Sequence, residues 1–468
     1  MPRRRANWHE DRLRGLTRLG GWWLLVGCWI GGAGATGAGA GESPPRRPNI
    51  VLIVADDLGA GDLGCYGGER AKTPNIDRLA SAGTRFTQYY SGAPICSPSR
   101  AAMMTGQSGS RWRITSFLQE RAGNKACEQV DYLDPEAPTL PRTLRSSGFA
   151  TGHFGKWHLG GGRDVVDAPK FAAYGFDDHA GTYESPEPHP DLVRAGWVSP
   201  NKDKVKRWDR SAFFVDKALD FLQRNHVRHQ PSFVNVWLDD PHTPWVPGSD
   251  APRGDTSENL RDVLVEMDRE VGRLVDGINR LGIGDDTLIL FTSDNGPLPP
   301  LGTTRTLGLR GSKLSLYEGG IRVPLIAAWP GHIPAGRVDT ESVVAAVDLF
   351  PTLAALAGVQ VPEAVATDGE NRAEVLIPGR PVDRSQPLFW EYGRNESAFR
   401  YPARPSNRSP QLAVRDGRWK CLVNADGTGT ELYDLVADPA ETKNLAAQRP
   451  DLARPLADKA IRWRQSLP

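Results

Sequence analysis

The chain has 468 residues, 39% hydrophobic and 24% charged, with a formal net charge of +1. That length suits one large domain or two to three ordinary ones, and the composition is globular. Near-neutrality removes the electrostatic case for nucleic acid or an anionic membrane as partner, while leaving room for a local anion site.

The chain opens on a leader. Arginines crowd residues 2–18, residues 21–30 form a short apolar core, and small residues follow to 41. This is a signal-peptide pattern over 1–40, too short to span a membrane. Two endings stay open. Ala38-Gly39-Ala40 resembles an export cleavage site, whereas Leu25-Val26-Gly27-Cys28 resembles a lipoprotein site that would place lipid on Cys28. The very short apolar stretch before Cys28 favours the first. The expected location is periplasmic or secreted, with a lipid anchor at Cys28 as the variant. Residues 41–48 read as a linker.

A continuous β-branched run over 49–55 predicts a strand buried on both faces, and it ends in Asp56-Asp57. A helix follows from 73 to 79. Pro98 suits a helix start and Gly106 a helix stop, which sets Cys96 beside a helix N-terminus and Arg100 one turn on. A helix over 139–147 precedes a strand over 150–154 that leads into Gly155-Lys156-Trp157-His158. Residues 170–208 show no period and read as loop. An amphipathic helix over 211–225 precedes a buried strand over 233–238, which ends in Asp239-Asp240-Pro241-His242. Leu260, Leu264, Met267, Val271, Leu274, Ile278 and Leu281 mark the clearest helix. A strand over 287–291 ends in Ser293-Asp294-Asn295-Gly296; a strand over 323–329 and a helix over 349–357 come next.

The alternation predicts an α/β fold: a large, mostly parallel mixed sheet between helices, over 49–365. Beyond it, 366–468 reads as a smaller C-terminal α+β subdomain, with short strands over 411–414, 419–423 and 431–433 and a helix over 452–463. Cys65, Cys127 and Cys421 allow one bridge and a free thiol, or none.

Three polar clusters follow apparent strands, and open α/β sheets bind ligands beyond their carboxyl ends. Asp56, Asp57, Asp294 and Asn295 offer only oxygen, which suits Ca²⁺ or Mg²⁺. Singly, each pair is equally a turn or helix cap. Lys156 and His158, two apart, face one way on an extended stretch; His242 and Lys313 add further donors. Gathered around a metal, they make a pocket for a tetrahedral oxyanion ester, with a histidine to protonate the leaving alcohol.

Cys96-Ser97-Pro98-Ser99-Arg100 matches the signature of the formylglycine-dependent sulfatases. Residues 50–64, 155–160, 240–244, 293–296, 310–313 and 318–324 resemble further segments of that family in order, as do Leu432-Tyr433-Asp434-Leu435, Asp438-Pro439 and Glu441. The resemblance implies an alkaline-phosphatase-like fold and sulfuric ester hydrolysis. It implies that a formylglycine-generating enzyme converts Cys96 to Cα-formylglycine, whose hydrate is the nucleophile. Asp56, Asp57, Asp294, Asn295 and residue 96 would bind one Ca²⁺. Arg100 would hold the formylglycine, and Lys156, Lys313 and His242 the sulfate. His242 or Lys313 would protonate the leaving oxygen, and His158 would take the proton that releases sulfate. The alternatives are a phosphoester or phosphonate hydrolase on the same scaffold, and an exported binding protein with unmodified Cys96. Export points to a sulfated small molecule or glycan as substrate. Trp197, Trp245, Arg253, Arg400 and Tyr401 are candidates to hold a sugar, surface packing being equally open to each.

Overall fold

Asn49–Ala55 forms strand β1, in the middle of a nine-stranded sheet. The other strands are β2 (Thr84–Tyr90), β3 (Ala150–Gly155), β4 (Asp178–Gly181), β5 (Ser232–Trp237), β6 (Thr287–Ser293), β7 (Arg322–Ala328), β8 (Arg337–Asp339) and β9 (Val344–Ala345). This computed structural model describes residues 47–192, 203–250 and 254–468, with the backbone alone at 299–302. The leader, most of the linker, Arg194, Trp197 and Arg253 lie outside those residues. No helix among the described residues is long and apolar enough to cross a membrane.

The spatial order is β4-β3-β5-β1-β6-β7-β2-β8, with β9 also on β2. Every pair is parallel except β6–β7 and β2–β7, so β7 alone runs against the rest. The unbroken apolar run of β1 has a direct cause. Ile50, Leu52 and Val54 enter the core on one face, and Val51, Ile53 and Ala55 the core on the other, as a period of two requires. Helices Pro74–Ser81, Arg210–Val227 and Ser257–Arg280 cover the second face, and Cys96–Thr105, Leu140–Ser146 and Leu349–Leu356 the first. The longest helix starts three residues before its first apolar position, because the Thr256 side chain accepts a hydrogen bond from Asn259 N–H at 3.1 Å.

A second, antiparallel sheet has the order β10 (Leu388–Glu391), β11 (Leu412–Asp416), β12 (Trp419–Val423), β13 (Glu431–Asp434). Leu412, Val414, Cys421, Val423 and Leu432 pack on the terminal helix Pro450–Gln465, while Ala413, Leu422 and Tyr433 join the main core.

The structure departs from the sequence reading at three elements. β2 is not legible in the sequence, and β4 lies inside the stretch expected to be loop. The helix at the cysteine begins at Cys96 rather than Pro98, which sits inside its first turn; Gly106 ends it with φ 67°. Cys65, Cys96, Cys127 and Cys421 are all free thiols.

Candidate active site

Parallel strands bring distant segments together. β5, β1 and β6 are neighbours, so Asp239-Asp240, Asp56-Asp57 and Asp294-Asn295 emerge at one edge. β3 delivers Lys156 and His158 to that same edge. Cys96 arrives in the first turn of the helix after β2, and Lys313 in the loop between β6 and β7. Asp57 (φ 64°), His158 (φ 56°) and Leu314 (φ 73°), next to Lys313, hold left-handed backbone conformations. Such strain persists only where surrounding structure imposes it.

At the centre, Cys96 Sγ lies 3.6 Å from Asp56 Oδ1, 3.5 Å from Lys156 Nζ and 3.4 Å from Lys313 Nζ. Lys156 Nζ is 2.6 Å from Asp56 Oδ2, and Lys313 Nζ 2.6 Å from Asp57 Oδ1. His242 Nε2 is 3.6 Å from Asp57 Oδ2. Arg100, fully buried, donates from Nε to Asp294 Oδ2 at 2.9 Å and from Nη1 to the Lys156 carbonyl at 2.7 Å. Its hydrogen bonds therefore fix the carboxylate of Asp294 and the strand end that carries Lys156. The family resemblance gives it the further role of holding the formylglycine at residue 96.

Of the cluster after β5, only His242 faces the site. Asp239 pairs with Arg207 and Arg210. Asp240 pairs with Arg207 and accepts from Ser211 Oγ at 2.5 Å. Arg207 also donates to the His242 carbonyl at 2.9 Å, so these aspartates brace the histidine loop.

Electrostatics separate the groups. Burial pushes the Cys96 thiol up to about 12, against the pull of Lys156 and Lys313, so residue 96 is a neutral thiol rather than a thiolate. Burial would raise Asp56, but Lys156, His242 and Arg100 hold it well below the ordinary range. Asp294 is pushed up to about 6 by burial, against Arg100 and aided by the charge of Asp56.

The residues present fit a hard divalent cation. Asn295 Nδ2 donates to Asp57 Oδ1 at 2.6 Å and to the Gly296 carbonyl at 2.9 Å. Its Oδ1 is buried without a hydrogen-bond partner. A buried carbonyl left unpaired beside Asp56, Asp57 and Asp294 is what an oxygen-seeking cation satisfies. Asp56, Asp294 and the Cys96 sulfur also come within metal-sharing distance.

The site opens into a cavity of about 310 Å³ whose lining includes Cys96, Lys156, His158, His242 and Lys313. Phe117, Glu120, Arg163, Glu184 and Arg400 also line it, and sequence reasoning missed the first four. The available signal for Glu184 was its place just past the end of β4, hidden with that strand. Arg400 lies 5.2 Å from the Phe117 ring centroid. Trp245 is buried, its Nε1 donating to the Pro241 carbonyl at 2.8 Å, and it serves packing rather than a ligand. Tyr401 stacks under Arg408 at 4.0 Å.

Known proteins resemble this chain in sequence and fold. A family model described as Sulfatase matches residues 48–359, and one described as N-sulphoglucosamine sulphohydrolase, C-terminal, matches 312–462. N-acetylgalactosamine-6-sulfatase of Sus scrofa is 36% identical over 397 residues, covering 80% of this chain and 72% of its own. Arylsulfatase A of Homo sapiens is 33% identical over 437 residues, covering 88% and 82%. The crystal structure of Ps i-CgsB in complex with k-i-k-neocarrahexaose is similar at a TM-score of 0.74 and 28% identity, covering 90% of this chain and 93% of that one. With the family model spanning both the sheet and the loops that build the site, the chain belongs to the sulfatase family and is a sulfuric ester hydrolase.

Proposed function

We propose that this sulfatase is exported and acts on a sulfated glycan, that residue 96 works as Cα-formylglycine made from Cys96, and that Asp56, Asp57, Asp294 and Asn295, with residue 96, hold one calcium ion. The observation that carries the reading is the setting of Cys96. Its sulfur, which marks where the oxygens of an aldehyde hydrate would stand, lies against two ammonium groups and a carboxylate, yet burial keeps it a neutral thiol. A neutral thiol is a weak nucleophile. A hydrated aldehyde supplies one hydroxyl for attack on sulfur and a second through which sulfate is released. Calcium, when bound, draws charge from the ester oxygens.

The chain's own groups divide the remaining work. Lys156, Lys313 and His242 bind the sulfate oxygens, placing positive charge where negative charge develops. His242 or Lys313 protonates the leaving alcohol oxygen, and His158 takes the proton of the second hydroxyl. Arg100 acts through Asp294, whose carboxylate it orients. Arg400, on the Phe117 ring at the cavity, is placed to meet a sugar.

Protein produced with a formylglycine-generating enzyme tests the reading. The peptide containing residue 96 should show the mass of an aldehyde or its hydrate. Sulfate release should fall on calcium chelation and return with calcium. A thiol alone in active protein would remove the modification, and no release from any member of a panel of defined sulfated saccharides would remove the glycan.

A further inference from the structure

Glu184 has no part in the roles above. It follows the end of β4, is 3% exposed, and lines the catalytic cavity. Its Oε1 accepts from Arg163 Nη2 at 2.5 Å. Its Oε2 is buried with no hydrogen-bond donor and lies 3.6 Å from His158 Nε2. That nitrogen is 2.9 Å from the Leu118 carbonyl. A carbonyl only accepts, so Nε2 carries the proton of the neutral ring and Nδ1 the lone pair. Nδ1 is buried and has no hydrogen-bond partner. The His158 backbone N–H also donates to the Glu184 carbonyl at 3.1 Å, which ties the two residues together independently of their side chains.

We propose that Glu184 is a positioning residue for His158: beside the Leu118 carbonyl that fixes the Nε2 proton, its carboxylate holds the ring electrostatically and stabilises the imidazolium formed when Nδ1 takes a proton from the hydrate at residue 96. The proposal rests on His158 as the base of sulfate release. In that step the remaining O–H bond breaks and an N–H bond forms at Nδ1. The oxygen's electron pair restores the C=O bond, and sulfate leaves with the electrons of its bond to carbon. The proton then passes from Nδ1 to water.

The charges around His158 explain why such a partner is needed. Burial lowers the imidazole to about 3, and Lys156, Arg100 and Arg163 push the same way, while Glu184 opposes them. Glu184 itself stays ionised: burial is outweighed by His158, Lys156 and Arg163, leaving it at about 2. A buried imidazole beside three cations is a poor proton acceptor unless a fixed carboxylate compensates. A purely structural Glu184 that only anchors Arg163 would not leave its second oxygen unpaired and turned to the ring. Arg163 has a second carboxylate in any case, Glu120 at 3.0 Å.

The test uses modified enzyme, 4-nitrophenyl sulfate and four proteins: the parent, Glu184→Gln, His158→Ala and the double variant. The glutamine side chain keeps the size and the contact to Arg163 while removing the charge. Glu184→Gln should lower kcat roughly 10- to 100-fold with KM within about 3-fold. A burst of about one equivalent of nitrophenol should precede slow turnover, because release rather than attack is impaired. In the His158→Ala background the same change should cost less than about 2-fold. An equal loss in both backgrounds, or a raised KM with kcat kept, overturns the proposal. So does a loss that follows melting temperature or the unmodified fraction of residue 96. Full kcat in His158→Ala instead overturns the reading of His158, whatever Glu184→Gln does.

Discussion

Two of the places where the molecule buries charge differ. At the carboxyl edge of the large sheet, Asp56, Asp57 and Asp294 face Arg100, Lys156 and Lys313. Where the two sheets meet, Lys420, fully buried, pairs with Glu318 and Glu441 at 2.9 Å each. Tyr90 Oη donates to Glu318 Oε2 at 2.6 Å, and the Glu318 N–H donates to Glu441 Oε2 at 2.6 Å. The junction is nearly closed: three of the four carboxylate oxygens of Glu318 and Glu441 accept hydrogen bonds within 2.9 Å, and Glu441 Oε1, which accepts none, still has the Lys420 ammonium at 2.9 Å. The edge cluster opens into a cavity and leaves Asn295 Oδ1 and Glu184 Oε2 without hydrogen bonds. Burial of charge alone therefore does not mark a catalytic site. Unpaired buried acceptors beside a cavity do, since leaving them unmet costs stability that only a ligand or a reaction recovers.

Substitutions can break that contrast in opposite directions. Cys96→Ala should abolish turnover, by about 10⁴-fold or more in kcat, while the unfolding free energy stays within about 1 kcal/mol because little volume is lost. Sulfate release from an aryl sulfate, read beside a denaturant melt, checks both halves; retained turnover would displace residue 96 as nucleophile. Lys420→Met should do the reverse. It strands two buried carboxylates and should cost about 3–5 kcal/mol, with kcat per folded molecule kept. A stable but inactive Lys420→Met would mean that the junction belongs to the chemistry after all. Tyr90→Phe removes a charge-assisted donor to Glu318 and the acceptor of Arg415 Nη1, and should cost about 2 kcal/mol by the same melt, its ring remaining packed on Trp390 at 5.5 Å.

The same contrast explains what the sequence could disclose. β1 was legible because both its faces meet apolar cores, and Asp56-Asp57 because it ends that run. Parallel pairing of β5, β1 and β6 then followed from alternation with helices, and with it the edge where the clusters meet. β2 was hidden because polar Arg85, Thr87 and Gln88 interrupt it, and β4 because four residues are too few to show a period. Missing β4 also hid Glu184. The segments around Glu318 and Glu441 stood out by family resemblance, yet nothing local says what they do. Lys420 is 102 residues from Glu318, and only the docking of the second sheet shows that these residues fasten it.

Glu441 offers the finest distinction. Burial and the neighbouring charge of Glu318 push its carboxyl up to about 7, Lys420 notwithstanding. Glu318, with burial outweighed by Lys420, Arg322 and Arg415, is held below the ordinary range. A group whose folded pKa is raised stabilises fully below its unfolded value and loses that contribution as pH rises through the folded value. Glu441 should therefore weaken the fold progressively between about pH 4.5 and pH 7, whereas the linkage of Glu318 acts below the usual glutamate range. Glu441→Gln imitates the protonated form but gives up one acceptor, at a cost on the order of 1 kcal/mol near pH 5. As pH rises the parent should lose stability faster than the variant, and the gap between them should narrow or reverse by about pH 8. Parallel stability curves for the two proteins would show that Glu441 stays ionised throughout, and that Lys420 holds both carboxylates as a charged triad.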